Sequence, residues 1–225
     1  MAVKLIGAWP SHYAMRARMA LNLKSVDYEY QEEDFMNKSE LLLKSNPVYK
    51  KVPVLIHDDK SICESMIIVS YIDEVWTDGP SLLPSDPHER AVARFWAHYV
   101  DDKWLPALVE MAKAQTDEAK AEATEKVLEG LKHFEEAFEK CSKGKPFFNG
   151  ENIGYLDVAI GCYMGAIKML ELMMGGFKLL NEDKTPLLAA WAERFCSSEA
   201  VKGVIPEAER LLELAKARSA PQPAH

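Results

Sequence analysis

Two proline-marked segments constrain what the first third of this chain can fold into. Residues 3–8 alternate like a strand and run into Trp9-Pro10-Ser11-His12-Tyr13, after which apolar side chains recur at helical spacing as far as Lys24. Ser11 therefore sits at a strand-to-helix corner. Further on, Val52-Pro53-Val54 reads as extended backbone, because proline lacks an N–H and steers the residue before it away from helix. Eleven and twelve residues beyond Pro53 come Glu64 and Ser65, an acid and a hydroxyl that open another helical pattern. Between these landmarks the pattern predicts a strand at 28–30, a short helix at 40–44, a hairpin of 54–57 with 61–63 turning at Asp58-Asp59, and a helix at 66–76.

That order, βαβ-α-ββα, is the order of a thioredoxin-like α/β domain, placed here at residues 1–78. Composition then shifts through Thr77-Asp78-Gly79-Pro80 and Pro84-Ser85-Asp86-Pro87, so 79–87 reads as a linker. From 88 to 218 no strand signal recurs. Helical periodicity runs over 88–114, 117–141, 155–171, 186–196 and 206–218, which predicts an all-α C-terminal bundle. Pro106 falls inside the first of these helices and should bend it near 104–107, opening room beside the first domain. Residues 219–225 read as a disordered tail.

The formal net charge of −8 argues against nucleic acid or an anionic membrane surface as the main partner. No apolar run spans a bilayer, and Lys4, Arg16 and Arg18 interrupt what a signal peptide would need, so a cytoplasmic protein is expected. Cys63, Cys141, Cys162 and Cys196 form no C-x-x-C pair and read as reduced thiols in apolar settings. The chain has no H-x-x-x-H pair, no Gly-Lys-Ser/Thr phosphate loop, no G-x-S-x-G elbow and no dinucleotide glycine pattern. No metal site is expected, and Glu32-Glu33-Asp34 reads as a solvated edge.

Three segments, Ala8-Trp9-Pro10-Ser11, the run from Asn46-Pro47 to Val52-Pro53-Val54-Leu55, and Cys63-Glu64-Ser65, resemble the cytosolic glutathione transferases. Within them the likeness is closest to the plant tau class and extends over nearly the whole chain. It implies glutathione as co-substrate, with no permanently bound cofactor, and thiol conjugation to hydrophobic electrophiles of xenobiotic or stress-metabolite origin. Reduction of organic hydroperoxides is a further activity known in the family.

By the same resemblance Ser11 donates its hydroxyl proton to the glutathione sulfur. Glu64 meets the γ-glutamyl ammonium, Ser65 the γ-glutamyl carboxylate, Val52 before Pro53 the cysteinyl backbone, and Lys38 and Lys51 the glycyl carboxylate. From its residues alone Ser11 reads equally as a helix N-cap, since serine favours that position whether or not it has a function. Serine rather than cysteine at this corner excludes a mixed disulfide with glutathione and favours conjugation. The likeness breaks at one point: the family usually has proline and then phenylalanine after the serine, where this chain has His12 and Tyr13. Histidine removes a rigid helix start, and His12 reads either as a group that titrates near the thiolate or, the reading favoured, as an exposed histidine without a role.

An electrophile pocket is expected from Tyr13, Met15 and Phe35 with Leu105, Val109 and Ala112. Some tau-class relatives carry aromatic or arginine side chains at the last three positions, so a smoother and roomier pocket is implied. In the second domain, Gly150 to Asp157 resembles a buried folding motif of the family, which gives Asp157 a structural role. Asp73 and Glu74 on one helix and Arg90 and Arg94 on the next are expected to pair across a homodimer. The competing reading is a non-catalytic carrier of bulky apolar ligands, in which ligand binding survives loss of the Ser11 hydroxyl. An interaction module would have no need of that hydroxyl.

Overall fold

The computed structural model describes residues 2–219. The first domain holds β1 (Val3–Gly7), α1 (His12–Leu23), β2 (Glu29–Glu32), α2 (Glu40–Ser45), β3 (Val54–His57), β4 (Lys60–Cys63) and α3 (Ser65–Val75). Its sheet has the order β2-β1-β3-β4, with β1 parallel to β2 and antiparallel to β3. Asp58 and Asp59 both adopt positive φ, 46° and 65°, which turns β3 tightly into β4.

Side-chain alternation along β1 separates two layers of packing. Leu5 joins the large core under α1 and α3, whereas Ile6 packs with Val54 and Leu42 of α2 on the opposite face. Gly7 ends β1 where Tyr30 crosses closely; a Cβ there would lie 2.7 Å from the Tyr30 hydroxyl. This close crossing brings β1 directly into the Trp9-Pro10-Ser11 corner.

The second domain is helical: α4 (Pro87–Tyr99), α5 (Leu105–Lys113), α6 (Asp117–Ser142), α7 (Tyr155–Gly161), α8 (Met164–Met173), α9 (Pro186–Ser197) and α10 (Ala208–Ser219). One apolar cluster runs without a break from Leu5 and Met19 into Trp104, Phe134, Trp191 and Phe195, so the two domains share a core. Lys24 and Asp73 reinforce the junction. Their 2.8 Å ion pair is buried, and the Asp73 carboxylate also accepts from the N–H groups of Leu82 and Leu83 in the linker.

Several expectations are corrected. The irregularity in the first long helix starts before Pro106: residues 100–104 form a π-helical turn, with the Leu105 N–H bonded to the Val100 carbonyl. Pro106 itself lies in the first turn of α5, where its missing N–H is least costly. The predicted helix at 155–171 is two helices, α7 and α8, broken at Cys162 and Tyr163. Helix α10 includes Ser219; the rest of the predicted tail, residues 220–225, lies outside the described residues. Of Glu32-Glu33-Asp34, Glu32 and Asp34 are exposed as expected, and Glu33 departs from a solvated edge. Glu32 ends β2 and accepts from the Trp9 N–H at 2.8 Å, while buried Glu33 accepts from the Ser39 N–H and hydroxyl.

Candidate active site

Ser11 caps α1. Its backbone is extended (φ −83°, ψ 109°), its N–H bonds to the Ala8 carbonyl, and its Oγ accepts from the Ala14 N–H at 3.2 Å. The cap occupies one lone pair of the oxygen and leaves the hydroxyl proton uncommitted. Capping and proton donation are therefore compatible in one side chain, and the cap fixes where the proton can point. The carboxylate of Glu32 steadies Trp9, two residues before Ser11, whose ring also carries the Arg210 guanidinium of α10 at 3.9 Å.

Across the site, α3 starts without a side-chain cap. Its first N–H groups are therefore available to an anion. Glu64, immediately before the helix, holds φ 68° and ψ 117°, a strained conformation for a residue with a Cβ, and its side chain is exposed. Ser65 is buried and its hydroxyl oxygen receives Arg16 NH1 at 3.4 Å.

Arg16 is the residue that reading the sequence missed. It is fully buried at the domain seam and makes a two-pronged pair with Asp101, at 2.8 and 2.7 Å, from the π-helical turn. The same guanidinium donates to the Ala159 carbonyl at 3.0 Å and to the Tyr163 hydroxyl at 3.4 Å. It lies 5.3 Å from the Tyr13 ring centroid. One side chain thus connects α1, α3, the π-helical turn, α7 and the α7–α8 junction. Burial, with the Asp101 carboxylate nearby, pushes the Tyr13 phenol pKa up, so Tyr13 is a neutral phenol at neutral pH. Burial also raises the Cys162 thiol to about 11 despite the pull of Arg16, and that thiol is inert.

Asn46 and Glu33 shape the two loops that carry the predicted lysines. Buried Asn46 donates to the Lys51 carbonyl at 3.0 Å and accepts from the Tyr49 N–H, which holds the chain into the cis Val52–Pro53 bond and β3. Glu33 clasps Ser39 and so closes the loop bearing Phe35 and Lys38. Lys38 and Lys51 are exposed and form no ion pair among the described residues. Short polar side chains that bond to nearby backbone are a signal for such loops, and Asn46 carries it.

Other predicted residues fall differently. Met15 is 1% exposed in the core and cannot touch a ligand, because its position on α1 faces α3 and the shared core. Tyr13, Phe35 and Val109 are exposed, and Leu105 and Ala112 of α5 are half-buried. Asp73 is withdrawn from any intersubunit pair by Lys24 and the linker N–H groups. Arg90 likewise donates to the carbonyls of Pro84 and Ser85 within its own chain. Glu74 and Arg94 remain exposed. His12 is not a free surface histidine; its ring packs on Tyr163. Asp157 is fully buried and accepts from the N–H groups of Phe148, Asn149 and Gly154 and from Trp191 Nε1.

No group of three or more His, Cys, Asp or Glu side chains among the described residues is arranged to hold a metal ion. No helix among them is long and apolar enough to cross a membrane.

A thioredoxin-like domain with a capped serine at its first corner and an uncapped acid-serine helix start, fused to a helical domain, defines a glutathione S-transferase. The family models for the glutathione S-transferase N-terminal and C-terminal domains match residues 1–74 and 95–199, and the chain belongs to this family. Within it the chain is a tau-class enzyme. It is similar to "Glutathione S-transferase U17" of Arabidopsis thaliana, with 57% identity over 95% of this chain and 94% of the relative. The solved tau-class glutathione S-transferase of mango, Mangifera indica, is 61% identical, covers 96% of this chain and 98% of its own, and superposes with a TM-score of 0.92. Rice GST1, solved in complex with glutathione, is 33% identical, covers 96% of both chains and has a TM-score of 0.87. The enzyme uses glutathione as co-substrate and conjugates it.

Proposed function

We propose that Ser11 activates glutathione by donating its hydroxyl proton to the sulfur, stabilising the thiolate. The observation that carries this reading is the cap itself, which holds Oγ on the Ala14 N–H and leaves its proton free at the positive end of α1. A thiol with a pKa near 8.5 is only about 3% ionised at pH 7. Lowering that pKa by about two units takes about 2.7 kcal/mol. One hydrogen bond to a charged acceptor contributes about 1.5–3 kcal/mol and a helix N-terminus about 0.3–1 kcal/mol. Together the two match the requirement.

In this reading Glu64 pairs with the γ-glutamyl ammonium, and Ser65 with the open N-terminus of α3 receives the γ-glutamyl carboxylate. Val52 pairs with the cysteinyl backbone, and Lys51, with Lys38 across the mouth, meets the glycyl carboxylate. The thiolate attacks an electrophilic carbon lodged against Tyr13, Phe35 and Val109, with Leu105 and Ala112 behind them. A carbon–sulfur bond forms, the leaving group departs with its electron pair, and the thiol proton passes to solvent. Small aliphatic side chains on α5 favour broad, apolar electrophiles over charged ones.

Ser11→Ala is expected to lower kcat/KM at pH 7 by about 5- to 15-fold, the change in thiolate fraction when the hydroxyl's share of the two-unit shift is lost and the helix N-terminus keeps its about 0.3–1 kcal/mol. Rate should return as pH rises above about 8.5, and Ser11→Thr should keep most activity. A pH–rate profile of Ser11→Ala that superposes on that of the wild type sinks the assignment.

The enzyme acts as a homodimer in this proposal, with exposed Ile67 on α3 and Phe95 on α4 supplying apolar contact and Glu74 and Arg94 the rim charges. Shape and apolar burial carry the affinity, since exposed ion pairs contribute little. Sedimentation equilibrium should give twice the chain mass; a monomer at micromolar concentration contradicts it.

A further inference from the structure

His12 is the first residue of α1 and is joined directly to Ser11. Its ring lies on that of Tyr163, with centroids 4.7 Å apart and planes at 33°. Tyr163 is fully buried and held at its other end. Its hydroxyl donates to Asp101 at 3.3 Å and receives Arg16 at 3.4 Å, and the Arg16 guanidinium lies 5.5 Å from its ring centroid. The Nε2 of His12 is sealed from solvent and makes no hydrogen bond among the described residues. A buried, unbonded ring nitrogen is a cost that a surface histidine would not bear. The contact it accompanies is the ring-on-ring packing against the second domain.

The His12 ring meets the Tyr163 ring and feels the Arg16 charge from its own helix, and around Tyr163 in turn stand Arg16, Asp101 of the π-helical turn, Cys162 and Tyr13. Burial first, and then the Arg16 charge, bring the imidazole pKa down to about 4, so the ring is neutral wherever the enzyme works. It packs as a flat, uncharged plate against the Tyr163 ring.

The position matters because the first residue of a helix sets the angle at which the capping residue enters it. Proline there presets φ through its own ring; histidine leaves φ free. A plate docked on a fixed ring of the other domain supplies through space the restraint that the backbone lacks.

We propose that His12 is the positioning residue for Ser11, holding the hydroxyl at its working angle by docking on Tyr163 and thereby tying the serine to the domain seam. The proposal rests on Ser11 as the thiolate stabiliser. Its direct readout is the thiol pKa of bound glutathione, which a purely structural role would not move. In His12→Ala and in His12→Gln, which keeps bulk without a ring, that pKa is expected to rise by about half to one unit. The rate at saturating glutathione and pH 7 should fall about 1.5- to 3-fold, with the KM for glutathione changed less than about twofold. His12→Phe restores the plate and should recover more than half of the lost rate.

Thermal melting reports folding alongside, and if His12→Ala does not fold, the Gln and Phe variants decide. An unchanged thiol pKa in the Ala and Gln variants with only a lower melting temperature overturns the proposal. A His12→Phe variant as impaired as Gln overturns it too. Ser11→Ala, measured in parallel, separates the two readings: a thiol pKa that does not move there is a failure of Ser11 itself.

Discussion

Arg16→Leu is expected to lower the stability of the enzyme by about 2–4 kcal/mol and to raise the KM for glutathione. Breaking a buried ion pair from one side typically costs about 3–5 kcal/mol, because the abandoned partner is left without compensation. Asp101 keeps a 32% exposed side chain, against 0% for Arg16, so water screens part of the loss. The binding effect has a separate origin. Arg16 donates to the Ser65 hydroxyl and holds the start of α3 against α1, so its removal loosens the helix start proposed to receive glutathione. Chemical denaturation and initial-rate kinetics on one preparation check both parts. The double variant Arg16→Leu with Asp101→Leu should recover stability relative to Arg16→Leu alone, since it abandons no charge. Equal or additive losses in the single and double variants would show that the two side chains are not coupled.

A loss at least as large is expected from Asp157→Ala, about 3–5 kcal/mol, with little change in thiol activation among the molecules that remain folded. The Asp157 carboxylate accepts from the N–H of Phe148 at 3.0 Å and from Trp191 Nε1 at 2.8 Å, and both contacts are buried. It also accepts from the Gly154 N–H at the start of α7, at 2.9 Å. Burial pushes its pKa up to about 6, while these donors and the Asn149 N–H pull the other way. Deleting the side chain strips the donors of this acceptor in the centre of the helical domain, the costliest kind of polar loss. Differential scanning calorimetry reads the change directly. A melting temperature within a degree or two of the wild type would contradict this role for the network.

Much of the architecture is visible in the residues because it is written locally. The Trp9-Pro10-Ser11 corner, the Asp58-Asp59 turn and the helical spacing after Pro87 each depend on neighbours a few positions away. What stays hidden depends on partners far along the chain. Arg16 looks like one more cation in an amphipathic helix, yet its partner Asp101 lies 85 residues on. The only local sign is its place inside Ala14-Met15-Arg16-Ala17, where every neighbour is buried. The same distance misdirects the reading of Asp73, whose partner Lys24 follows α1. His12 looks exposed in the sequence because nothing nearby announces Tyr163. The break between α7 and α8 is invisible for a different reason, since Cys162 and Tyr163 are apolar and continue the helical period through the turn that separates the two helices.

The site divides in the same way. Its corners, Ser11, Pro53 and Glu64-Ser65, follow from backbone requirements and can be placed from the chain alone. Its walls cannot, because helical periodicity marks a side chain as inward-facing without saying whether core or ligand meets it. Met15 goes to the core, while Tyr13 and Val109 stay at the surface.

The most direct measurement is a spectroscopic titration of the thiol of enzyme-bound glutathione, made on the wild type, Ser11→Ala and Ser11→Thr. A pKa about two units below that of the free thiol in the wild type, retained in the threonine variant and lost in the alanine variant, is the expected result. A bound thiol that titrates near about 8.5 in all three proteins, or one equally depressed in the alanine variant, would contradict activation by the Ser11 hydroxyl.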